Sequence, residues 1–190
     1  MSYLRYKVLR FLRKEDGSQS IAFMIMAPLL VGSICAMIAF TDAYRARAMA
    51  ADATAVIADT LSRQTTPIDM SFLRGLQAVA GRLTRYGDAV NVRVTQIRCA
   101  KKCDQPQNRV LRVDFSKGQG LARLRHSDFS AGEMRARVPL LTKGDRILLV
   151  ETSFTHKPIF NVGLKDTEIT MFQATRMRFA PQLCWKACSV

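Results

Sequence analysis

The chain has 190 residues, a formal net charge of +14 and 48% hydrophobic residues. With about forty residues set aside for a basic tail and an apolar anchor, about 150 remain, enough for one domain with its own core. The cations are spread along the whole chain with no RNP, zinc-finger or helix-turn-helix pattern beside them. They read as a solvated basic surface suited to anionic lipid, envelope polymers or an acidic partner, and no nucleic acid is expected.

Residues 1–20 form a basic leader in which Leu4, Val8, Leu9, Phe11 and Leu12 interleave with Arg5, Lys7, Arg10, Arg13 and Lys14. Such a segment suits the inner headgroup layer as an amphipathic helix, or serves as an ordinary stop-transfer flank. Residues 21–40, IAFMIMAPLLVGSICAMIAF, carry no formal charge. As a helix at about 1.5 Å per residue they span roughly 30 Å, the thickness of a bilayer's hydrocarbon core. Pro28 is expected in an early turn, where a missing N–H costs least. Basic residues on the N-terminal side place that end in the cytoplasm and everything after Phe40 outside it, as in a bacterial inner-membrane protein with a periplasmic domain. Two rival readings exist. A buried soluble helix normally keeps a polar stripe. A cleavable signal would use Ala46-Arg47-Ala48 or Ala48-Met49-Ala50, but the apolar run is longer than a signal's and those sites lie within a continuous helical pattern.

Residues 41–66 contain no glycine and no proline before Pro67, and Ala46, Met49, Ala50, Ala53, Val56, Ile57 and Leu61 repeat at helical spacing. The anchor helix is therefore expected to continue as an amphipathic stalk until Pro67 stops it. Residues 67–190 read as an exported α+β domain. Its helix runs from Asp69 to Tyr86, with Asp69 as the cap, Gly87 at the end, and Phe72, Leu73, Leu76, Val79, Ala80 and Leu83 on one face. The period then becomes two. Strands are expected at 90–95, at 109–116, at 146–157 with Leu148, Val150, Thr152 and Phe154 on one face, and at 168–179. A short helix near 127–133 and an edge strand at 135–141, kept from the sheet centre by Pro139, complete the reading. Successive strands without intervening helices favour an antiparallel sheet of about four strands with helices on one face.

Cys35 falls in the apolar span and reads as a small buried residue. Cys99, Cys103, Cys184 and Cys188 form two CxxxC pairs, which in an oxidising envelope favour disulfides over zinc. Sequence leaves three connectivities open. Cross-pairing of 99 and 103 with 184 and 188 is preferred, because long loops gain most, about 4 kcal/mol each in the chain-entropy model. No metal, cofactor or small-molecule substrate is expected, and no enzyme. His126 and His156 stand apart from any metal-ligand spacing, and no G-x-S-x-G, H-E-x-x-H, P-loop or dinucleotide fingerprint occurs.

The run Arg13-Lys14-Glu15-Asp16-Gly17-Ser18 into Ile21-Ala22-Phe23 and then Ala27-Pro28-Leu29-Leu30 resembles the start of TadE/TadG-like proteins, minor pseudopilins of the bacterial tight-adherence (Flp) pilus machinery. Thr155-His156-Lys157-Pro158-Ile159-Phe160 is similar to a strand-proline-apolar step late in these proteins. The resemblance implies a pilin-like fold, pilus assembly proteins or other pilin-like subunits as partners, and prepilin-peptidase cleavage between Gly17 and Ser18. Processed members carry a glutamate five residues after the cut; here that place is Ala22, which fits a retained leader equally well. Ala22, Phe23, Ala27, Pro28, Gly32, Ser33, Ala36 and Ala39 are the residues on which a partner helix would pack closely. The alternative function is a generic membrane-anchored binding or sensor domain for an envelope ligand.

Overall fold

The computed structural model describes residues 6–8, 10, 18–130, 132–160 and 162–188. They group into two units, residues 1–42 with 158–165, and residues 43–157 with 166–190. Gly17 lies outside the described residues, and Ser18 opens a long helix.

Helix α1 runs without interruption over Ser18–Ser62, so its first half belongs to the first unit and its second half to the other. The apolar run forms helix because Ala, Leu, Met and Ile dominate it. Since the helix already starts at Ser18, Pro28 lies inside it and not in its first turns, a correction to the sequence reading. In the first unit the large side chains of α1, among them Phe23, Leu29, Leu30 and Met37, are exposed.

The second unit has one helical layer against a four-stranded antiparallel sheet. Helix α2 spans Met70–Thr84. Asp69 caps it, its carboxylate accepting from the Phe72 N–H at 2.9 Å; that bond and one from the Ser71 hydroxyl hold its pKa below the usual 3.8. The helix ends one turn before Gly87, because Arg85 takes the left-handed conformation (φ 66°). Gly81 is required inside α2: the Gly87 carbonyl oxygen stands 2.3 Å from where a Cβ on Gly81 would sit, so α2 and the short turn at Gly87–Ala89 pack backbone to backbone.

Strands β1 (Asn91–Lys101), β2 (Val110–Gln119), β3 (Arg146–His156) and β4 (Thr167–Thr175) follow, in spatial order β2-β1-β3-β4. All three pairings are antiparallel, with a register shift at Gln96/Ile97 between β1 and β2. On the helix-facing side, Ala46, Ala50, Ile57, Ala58 and Leu61 of α1 and Leu73, Leu76 and Ala80 of α2 pack with Val92, Val94, Leu148, Val150, Phe154 and Ile169. Each fully buried Leu or Ile there contributes about 1.5–3 kcal/mol. A polar rivet crosses this seam, Thr54 Oγ1 to Thr152 Oγ1 at 2.6 Å.

The opposite sheet face is also buried. Ile97, Cys99, Leu111, Ile147 and Leu149 pack with Phe129, Val138 and Leu141 of the crossover between β2 and β3. The expected edge strand at 135–141 is not formed. Helix α3 occupies Glu133–Arg137, stabilised by its good helix formers and the Arg137–Glu133 pair at 2.5 Å, and an extended segment follows. Pro139 disfavours helix at Val138, which is where α3 stops.

Candidate functional site

The small residues expected to admit a partner helix lie on α1 in the first unit. Ala22, Phe23, Pro28, Gly32 and Ser33 are exposed, Ala27 and Ala36 half-buried, and Ala39 buried. The Ser33 hydroxyl donates to the Leu30 carbonyl at 2.8 Å, so its polar atom is satisfied within its own helix. The stretch is long and apolar enough to cross a membrane, and none of its most apolar window is buried. That exposure is unlike a soluble protein's core helix, whose apolar surface is covered.

The cysteines close two local rings, Cys99–Cys103 and Cys184–Cys188, with Cα separations of 5.8 Å and 4.8 Å. This overturns the preference for cross-pairing. The first CxxxC starts on the end of β1 and bends back at Lys102, the second bends at Lys186; these residues adopt φ of 51° and 61°, which curls each segment so that its ends meet. Cys99 and Cys103 belong to the crossover-covered face, whereas the second ring lies against the other one. The second ring is held by Ile68, whose N–H donates to the Cys184 carbonyl at 2.9 Å and whose carbonyl accepts from the Lys186 N–H at 2.8 Å.

That ring forms one wall of a polar groove of about 680 Å³. The floor is the β1–β2 half of the sheet. Asp114 bridges two guanidinium groups, Arg98 Nε at 3.2 Å and Arg146 Nε at 3.0 Å. Gln96, buried, donates to Asp114 at 3.1 Å and accepts the Leu183 N–H at 2.7 Å, which ties the tail to the floor. Arg123 and Lys117 also line the groove, and Lys117 Nζ stands 5.4 Å from the centre of the Trp185 ring. Four cations against one carboxylate leave the groove positive, and the fixed Asp114 holds two forks side by side against their own repulsion. The sequence reading missed this arrangement, because its members come from β1, β2, the loop after β2, β3 and the tail; the lone tryptophan between two cysteines was the available signal.

The two histidines are far apart in role. His156 is buried and its Nδ1 meets the Tyr86 hydroxyl, while His126 Nδ1 accepts the Val113 N–H at 3.1 Å on the outer side of β2. Among the described residues no group of three or more His, Cys, Asp or Glu is placed to hold a metal ion. No protein-family model, curated protein or solved structure matches the chain.

Proposed function

We propose that this protein is a single-pass inner-membrane protein of the TadE/TadG-like, pilin-like type that helps assemble or anchor a tight-adherence pilus. One observation carries the reading: a single helix, Ser18–Ser62, is bare and apolar in its first half and contributes core side chains to an α+β domain in its second. This is the division of labour that a pilin-like subunit needs, with helix packing in the membrane and surface contacts outside. The basic leader supports a cytoplasmic N-terminus and a periplasmic domain. Small residues along the bare half supply close-approach positions for other pilin-like subunits or assembly proteins. Deleting the gene in the native cells tests the reading. Surface pili should be lost, and the tagged protein should bring down pilus assembly components from membranes. Unchanged pili together with a pull-down free of such components would reject it. The leader is tested separately: if a prepilin peptidase cuts before Ser18, the Gly17→Ala variant keeps its full mass.

The basic groove favours a second reading, an anchored domain that binds an acidic envelope ligand. Trp185 is the chain's single tryptophan, so its emission reports on the groove directly. Saturable quenching by an acidic saccharide at about 1 mM or below, weakened in Arg123→Gln and absent with the neutral sugar, would support this reading.

A further inference from the structure

We propose that the loop between β3 and β4, through Pro158, Ile159 and Phe160, is a lipid-facing wedge seated in the interfacial layer of the bilayer that α1 crosses. The inference rests on the membrane-anchor reading and goes beyond it, because it assigns the loop a surface of its own.

The side chains supply the first argument. Strand β3 is almost wholly buried to its last residue, His156, yet three positions later Ile159 is 66% exposed and Phe160 38%. A loop that faces water gains nothing from presenting an Ile–Phe pair at its tip.

The chain's grouping supplies the second. Residues 158–165 cluster with residues 1–42 and not with the two strands they connect. The loop therefore belongs with the apolar half of α1. On that helix Cys35 and Ala36 are half-buried, Ala39 is buried and Asp42 is half-buried, one side of the last two turns before the domain. Thr41 and Asp42 mark where the apolar run ends, which is the level of the headgroups on the exported side.

The local chemistry suits that level. Pro158 has no N–H to satisfy, and the Val162 N–H donates to the Phe160 carbonyl at 3.0 Å, so part of the turn's backbone is paired within the loop. Exposed Lys157 stands two residues before the apolar pair, where its stem can lie along acyl chains and its ammonium reach lipid phosphates. Apolar residues beside a cation, next to a membrane helix, select lipid as the occupant.

The test uses the full chain in vesicles of phosphatidylcholine and phosphatidylglycerol carrying brominated acyl chains. Trp185→Phe removes the native emission, and Phe160→Trp or Leu30→Trp then places one reporter in the loop or in mid-span. Phe160→Trp should fall below about half its unbrominated intensity with bromines near the headgroup end, and less with bromines near the chain terminus. Leu30→Trp should show the opposite depth preference. Quenching of Leu30→Trp with none for Phe160→Trp overturns the wedge and leaves the anchor standing; no quenching of either removes both. A Phe160→Trp reporter shielded from bromolipid and from aqueous iodide alike would mean that a protein covers the loop, which also overturns the proposal. Retention of both disulfides in each variant, read by mass, shows that the domain is folded.

Discussion

Arg109 is 5% exposed, yet among the described residues its guanidinium faces no carboxylate. It donates instead to three carbonyls, Pro139 at 2.7 Å, Arg135 at 2.6 Å and Val138 at 2.5 Å. Those carbonyls close the C-terminal end of α3, where unpaired acceptors and the negative pole of the helix dipole favour a cation. Burial, and behind it the charge of Arg135, pull the Arg109 pKa below an arginine's ordinary value, though an arginine stays protonated under any ordinary condition. The residue is thus a peg for the crossover that covers the second sheet face. Arg109→Met keeps the stem and strands the carbonyls, so it should cost about 2–4 kcal/mol, read as a lower urea midpoint. A loss under about 0.5 kcal/mol would show that water replaces the guanidinium without penalty. Nothing in the sequence marks Arg109, because its partners lie some thirty residues onward and all are backbone atoms. Gln96 was hidden for the same reason, its tail partner Leu183 being 87 residues away. Asp69 was legible, because a cap and its helix are neighbours in sequence.

At the scale of elements, a period-two pattern reveals which face of a strand is apolar but not what covers the other face. Leu148, Val150 and Phe154 were readable as one face of β3, and they do meet the helices. Ile147 and Leu149 on the reverse are equally apolar, and the lid that covers them, Phe129, Val138 and Leu141, comes from the segment whose glycines, serines and charges obscure any period. The cysteines teach a related lesson. Loop entropy ranks long bridges above short ones, but it acts only where the chain can bring the ends together. Here two local turns bring each pair together first. Rings with a sequence separation of 4 should each be worth about 2 kcal/mol in the chain-entropy model, about half the value for bridges joining the two motifs. Reduction is therefore expected to lower stability modestly and leave the sheet folded. An unreduced tryptic map should show two separate linked species. A peptide joining either of Cys99 and Cys103 to either of Cys184 and Cys188 would contradict the local pairing.

At the scale of the molecule, the second half of α1 is structural to the domain that follows it. Ala46, Ala50, Ile57, Ala58 and Leu61 share one cluster with the sheet and with α2, and the Ser62 carbonyl accepts the Arg178 N–H at 2.8 Å beyond β4. The sequence pattern located the helix and its buried stripe, but it could not show that the stripe closes the core. The consequence is testable by truncation. A chain beginning at Ala43 keeps the second unit's whole core, so it should unfold cooperatively and retain both disulfide rings. A chain beginning at Pro67 uncovers Leu148 and Val150 and loses Ile57 and Leu61. At about 1.5–3 kcal/mol for each large apolar side chain, that loss matches the 5–15 kcal/mol by which a domain is normally stable. The shorter chain should therefore show a broad, non-cooperative thermal transition and rapid proteolysis. Equal melting of the two chains would mean that the helix rests on the sheet without stabilising it. Unequal melting would make the second half of α1 part of the folded domain and not a tether to it.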